Sequence, residues 1–132
     1  MANWYGTARS NRFKVVDVDA FTEELSDASI DINIDGDTVT LFGDDDDTGG
    51  WPTTAYDEES GDDYEIDLPS IIQRHIQEDS CAILMEVGAE KLRYVTGWSC
   101  AISKKEVVYV NLDEIYRHAE EMMDAPVDTA TY

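Results

Sequence analysis

Positive charge is what this chain has least of. Nine lysines and arginines stand against 30 aspartates and glutamates in 132 residues, a formal net charge of −21. Their placement makes the shortage sharper, because residues 15–73 hold no lysine or arginine and 19 carboxylates. Such a surface repels phosphates, which disfavours direct nucleic-acid binding and an anionic membrane surface alike. Cysteine is scarce too. Cys81 and Cys100 have no CxxC spacing and lie in apolar, strand-like stretches, so they read as two reduced core thiols rather than a disulfide or metal pair. The two histidines, His75 and His118, stand on predicted helices beside Arg74 and Arg117 with no further ligands at metal spacing, and read as solvated or helix-packing residues. No apolar run approaches the ~18 residues of a membrane span. The opening Met1-Ala2-Asn3-Trp4-Tyr5-Gly6 lacks the basic-then-apolar pattern of a secretory leader, so a cytoplasmic location is expected. Ser10, Ser60 and Ser99 belong to no nucleophile motif, and Gly6 and Gly88 to no phosphate-binding pattern. The expectation is a protein that is not an enzyme and needs no cofactor.

What is present is enough to fold. The hydrophobic fraction is 42% and the apolar residues are patterned along the chain, which fits one domain over residues 1–132. A domain of this length is about 36 Å wide. Its charge divides as +3 for residues 1–14, −19 for 15–73 and −5 for 74–132. Self-repulsion on that scale weakens the compact state, and salt, divalent cations or a basic partner relieve it.

Residues 4–16 read as an entry segment and first strand, in which Phe13 and Val15 alternate with Arg12 and Lys14. Asp17 caps a helix over 18–26 with Val18, Phe21 and Leu25 on one face. Ile30, Ile32 and Ile34 alternate with polar residues, Asp35-Gly36 makes a two-residue turn, and 38–42 returns as the second strand of a hairpin. Residues 43–61 read as an irregular acidic segment with a short strand at 53–56, pinned to the body by Trp51 and Tyr56. A helix over 69–78 carries Ile71, Ile72 and Ile76 on its apolar side; strands at 81–87, 91–102 and 106–111 follow. A last helix, 112–124, is expected to bury Leu112, Ile115, Ala119 and Met122 and to expose Arg117, Glu120 and Glu121. Beyond Asp124 the tail is expected to fray. This order predicts an α+β fold: a mostly antiparallel sheet of five to six strands with about three helices on one face, its start resembling a ferredoxin-like βαββ arrangement.

Several local patterns invite chemistry and fall short of it. Asp31-Ile32-Asn33-Ile34-Asp35-Gly36 matches the first half of a calcium loop, but its twelfth position is Phe42 rather than glutamate, and the isoleucines fit a strand running into a turn. A similar frame on Asp44, Asp46, Thr48 and Gly49 ends on Ala55. Four consecutive aspartates point in different directions, so a dedicated metal site is not expected. Arg9, Arg12 and Lys14 form the one basic patch without acid nearby in sequence, and are expected to pair with the acidic segment across the sheet.

The densest acid runs through Asp44, Asp45, Asp46 and Asp47, then Asp57, Glu58 and Glu59, then Asp62, Asp63, Glu65 and Asp67. Duplex DNA carries one charge per ~1.7 Å of axis, so 19 uncompensated carboxylates answer to roughly 32 Å of duplex, close to one turn. A protein that carries a basic channel for DNA could be steered onto this face instead. The stretches Met1-Ala2-Asn3-Trp4-Tyr5-Gly6-Thr7-Ala8-Arg9-Ser10-Asn11 and Val87-Gly88-Ala89-Glu90-Lys91-Leu92-Arg93-Tyr94 resemble segments of small acidic phage and plasmid proteins. In charge and size the chain also resembles DNA-mimicking antirestriction and anti-CRISPR proteins. That resemblance of class implies an inhibitor whose partner is a basic DNA-binding protein or nuclease complex, with these carboxylates as surrogate phosphates and Trp51 and Tyr56 as apolar anchors. Two other readings stand beside it: an acidic immunity or antitoxin protein that neutralises a basic toxin, and salt adaptation, with 18 aspartates against 4 lysines and no partner implied.

Overall fold

The computed structural model describes residues 4–43, 50–90 and 94–128. In chain order its elements are β1 (Trp4–Ser10), β2 (Phe13–Lys14), α1 (Val18–Glu24), β3 (Ile30–Asp35), β4 (Thr38–Gly43), β5 (Thr54–Asp57), β6 (Asp62–Glu65), α2 (Leu68–His75), β7 (Ala82–Glu90), β8 (Tyr94–Ile102), β9 (Val107–Asn111) and α3 (Glu114–Met123). Seven strands form one sheet in the order β2-β4-β1-β7-β8-β9, with β3 on the other edge of β4, and β5 and β6 form a separate hairpin. Every pairing is antiparallel, so the fold is α+β as the sequence pattern predicts. β2 and β3 are joined through α1 and flank β4, both antiparallel to it, which is the split βαβ unit that opens a ferredoxin-like fold.

The sheet gains a strand over the sequence reading because the first strand is broken. Arg9 pairs with Phe42 and Phe13 with Val39, so four steps on one strand answer three on the other. One extra residue is a bulge, and it switches which parity faces inward. Ala8 and Ser10 are buried before it, Phe13 and Val15 after it. The lost ladder contacts are replaced by side chains: Leu41 N–H donates to Ser10 Oγ at 2.8 Å, and Asn11 Oδ1 accepts from Ile83 N–H at 2.8 Å.

α1 and α2 cover one face of the sheet, here called inner. Asp17 caps α1 by accepting from Ala20 N–H at 3.1 Å, and Asp67 caps α2 ahead of Pro69. Between sheet and helices lie Phe13, Val15, Phe21, Val39, Leu41, Ile72, Ile76, Leu84 and Ile102, all essentially inaccessible. Phe13 and Phe21 meet edge to face at 6.1 Å. Lys104 donates to the Arg74 carbonyl at 2.9 Å, placing a cation at the carbonyl end of α2.

Two expectations are corrected, and one strand appears that the sequence reading did not have. α3 is amphipathic as predicted but none of its residues is buried, because α1 and α2 already occupy the inner face and α3 lies beside the outer one. Cys81 is exposed just ahead of β7, so only Cys100 is a core thiol. Residues 62–65, Asp-Asp-Tyr-Glu, form strand β6 despite poor strand propensity, because tertiary contacts hold it. The calcium-like stretch is β3 and its turn, with Gly36 at φ 65°. No helix among the described residues is long and apolar enough to cross a membrane.

Candidate binding surface

The acidic layer is built on the β5–β6 hairpin, which sits on the end of α1. Pairing sets Ala55 opposite Tyr64 and Asp57 opposite Asp62, with these four on one side of the ribbon. Ala55 is buried, and Tyr64 Oη donates to Asp27 Oδ2 at 3.1 Å. Desolvation first, then that hydrogen bond and the charges of Asp27, Asp57 and Glu24, hold the Tyr64 phenol above its ordinary pKa. Tyr56 N–H donates to the Asp27 carbonyl at 3.2 Å and Ile66 N–H to the Thr53 carbonyl at 2.9 Å. The turn closes through Glu59 N–H on Asp57 Oδ1 at 2.9 Å and Gly61 at φ 75°. Asp63 and Glu65, opposite Tyr56 and Thr54, occupy the other side of the ribbon.

Trp51 leads the chain into this hairpin and ties it to β7. Only 8% exposed, it donates its indole N–H to the Met85 carbonyl at 3.2 Å and its backbone N–H to Glu86 Oε1 at 2.7 Å. Glu86 takes a second donor on Oε2 from the Trp98 indole at 2.8 Å. The burial of Trp51 supports the pinning role and removes it from any surface a partner touches. Tyr56 remains half exposed on the hairpin. At the base of the segment Gly43 and Gly50 lie against each other: a Cβ on Gly43 would sit 2.7 Å from the Gly50 carbonyl oxygen.

Under the hairpin, α1 and α2 are clamped by one carboxylate. Glu24 accepts from Arg74 Nη1 at 3.1 Å and lies 2.8 Å from His75 Nε2, while the His75 ring packs on Phe21 at 5.4 Å. Desolvation raises the Glu24 pKa, but the hydrogen bonds and charges of His75 and Arg74 outweigh it and leave the group below its ordinary value. His75 is thus a helix-packing residue. Asp67 serves α2 by accepting from Ser70 N–H at 3.3 Å and Ser70 Oγ at 2.9 Å.

Of the sequence-predicted site, Asp57, Glu58, Glu59, Asp62, Asp63, Glu65 and Asp67 come together with Tyr56 on the hairpin and its exit into α2, joined by Glu24 and Asp27 from the end of α1. Asp44, Asp45, Asp46 and Asp47 lie outside the described residues. Among the described residues none of the seven carboxylates from Asp57 to Asp67 is ion-paired. Of the expected pairing between the N-terminal cations and the acidic segment, the described residues show one ion pair, from Arg12 to Asp35, and none to the carboxylates from Asp57 to Asp67. Arg12 reaches Asp35 at 3.0 Å, and Arg9 lies 5.2 Å from the centre of the Phe42 ring. Both lie near the outer face, whereas the hairpin caps the helices on the inner one. The sequence reading missed Glu86 and Asp27, single acids whose value lies in distant partners and which no local pattern marks. Comparison with known proteins finds no matching family model, curated protein or solved structure.

Proposed function

We propose that this chain is a non-enzymatic inhibitor that presents its acidic layer to a basic DNA-binding protein in the host cytoplasm, of the antirestriction or anti-CRISPR kind, and occupies the channel meant for DNA. The observation that carries the reading is the set of carboxylates from Asp57 to Asp67, none of them ion-paired among the described residues, on a hairpin fixed to the core through Trp51 and Asp27. Charges held in place before binding need little ordering on contact, so their attraction is spent on the partner. Spacing supports it as well: Asp63 and Glu65 share a face of β6, so they repeat at roughly 6.6 Å, near twice the ~3.4 Å per-strand charge spacing of B-DNA. Asp44 to Asp47, adjoining in sequence, extend the same negative stretch.

The test is capture from a phage-resistant host, followed by competition. The wild-type chain should retain a basic DNA-binding protein that duplex DNA displaces, and Asp44 to Asp47 changed together to asparagine, or E58Q/E59Q/D63N, should lose it while melting as the wild type does. Retention that DNA does not disturb, with a bound toxin's active site covered, would turn the reading to an immunity protein. A chain that folds only in molar salt and captures nothing would leave salt adaptation.

A further inference from the structure

The outer face of β7, β8 and β9 is as poor in charge as the opposite layer is rich. Its outward positions are Ile83, Met85 and Val87 on β7, Val95, Gly97, Ser99 and Ala101 on β8, and Val108 and Val110 on β9, with no ionisable residue among them. Met85, Val87, Val95, Val108 and Val110 are each about half exposed. α3 lies alongside with its own apolar row uncovered, from Leu112 and Ile115 to Met122 and Met123. Between sheet and helix runs a groove of about 370 Å³, whose floor is kept open by Gly97; a Cβ there would lie 3.0 Å from a Val87 methyl. β9 is also an edge strand, Val-Val-Tyr-Val-Asn, without the charge that normally blunts an edge.

We propose that this face is where a second copy of the chain docks, in a two-fold symmetric dimer. Two considerations commit it to a second copy. The first is area. The nine apolar side chains on the strands and α3 range from 45% to 78% exposed. At roughly 60–120 Å² of transferable surface per side chain of this size, they offer on the order of 450 Å². A standard interface takes about 800 Å² per partner, about 65% of it apolar in homodimers, or roughly 520 Å². The second is charge. Two chains of net charge −21 approach most readily where carboxylates are fewest: the sheet positions of this face present none, and the one carboxylate lining the groove, Glu114, accepts from Asn111 N–H at 3.4 Å. Sheet and helix row belong to one chain, so a two-fold axis can lay each helix row against the other copy's sheet and satisfy both at once. The acidic layers then point away from each other, so the dimer does not depend on the proposed inhibitor role.

The experiment is sedimentation velocity of the full chain from 1 to 100 µM in 0.15 M NaCl, with M85E and I115E beside it. The expected species is twice the 14.8 kDa chain mass. Each variant should weaken association at least tenfold, and both should melt like the wild type at submicromolar concentration, because both side chains are exposed in the single chain. D63N, on the acidic hairpin, should dimerise like the wild type. Raising NaCl from 0.02 to 0.5 M should strengthen the dimer by screening the like charges. A monomer throughout the range, assembly past two copies, undiminished association of M85E and I115E, or a dimer that salt weakens would each overturn the proposal.

Discussion

The inner and outer faces of the seven-stranded sheet differ in what lies on them. The inner face carries two helices and Trp51, and above that cover the surface is acidic and almost without cations. The outer face from β7 to β9 has only α3 alongside it and its outward sheet positions are apolar, with Arg9 at its border, in register with Met85. Repelling charges are tolerable where the backbone beneath is fixed by burial, since each anchor offsets a repulsion the loop could not withstand alone. An apolar face needs no such support, only a cover. The same chain thus separates a surface suited to cations on another molecule from one suited to its own kind.

The contrast breaks most visibly at Trp51. W51A removes a buried indole and both the cavity filler and the donor to Met85, and should cost about 3–5 kcal/mol. V110S, on the uncovered face, should cost about 1 kcal/mol or less at submicromolar concentration, where dimers are absent. Chemical denaturation of the two variants checks this; equal losses would mean the two faces are not differently built. Protease sites between residues 50 and 66 should open in W51A first.

Thiol chemistry reads the same contrast more gently. Desolvation pushes Cys100, on the inner face, to about 11, against about 8.5 for an ordinary thiol, while Cys81 is exposed. At pH 8 a disulfide reagent should take one thiol of the folded chain at least about 100-fold faster than the other, and peptide mapping should place it on Cys81. Two thiols labelled at one rate would mean that the core around Leu84 and Ile102 is open.

E24Q tests the clamp under the acidic layer. Glu24 is lowered in the folded state, so its contribution is present above the ordinary carboxylate pKa and disappears as pH falls through the folded value. The variant should be about 1 kcal/mol less stable than wild type near pH 7, after allowing for partial exposure, and the gap should close as pH falls below the ordinary carboxylate range. A gap that persists in acid would mean that shape rather than charge holds α1 to α2.

How much of this could be read from the residues follows the range of the interactions. The β3–β4 hairpin was legible because Ile30, Ile32 and Ile34 alternate ahead of Asp35-Gly36, and α1 and α2 because their caps and apolar spacing are local. β6 was not, since Asp-Asp-Tyr-Glu becomes a strand only through Tyr64 on Asp27 and pairing with β5. α3 shows the limit most plainly. Its pattern predicts an apolar stripe but not whether anything lies against it, and that depends on which sheet face the earlier helices take. The acidic cluster was legible as composition, and its hairpin geometry was not, because Trp51 and Glu86 are 35 residues apart.

The smallest expected effect is also the one that separates stability from function. Asp57 and Asp62 face each other directly across the hairpin, and like charges so placed are destabilising. Asp62 is exposed and its carboxylate has no hydrogen bond among the described residues, so D62N removes a repulsion and no contact. Asp57 differs, because its carboxylate closes the turn onto Glu59 N–H, and D57N should forfeit that gain. D62N should therefore stabilise the chain by about 0.5 kcal/mol in low salt. The gain should fade near 1 M NaCl, where the screening length is ~3 Å. If the acidic layer is there for a basic partner, the same variant must bind that partner more weakly while it unfolds later. Opposite signs in two measurements on one substitution are what a surface kept for recognition produces. A hairpin whose charge served folding in salt would lose stability in D62N, most of all at high salt.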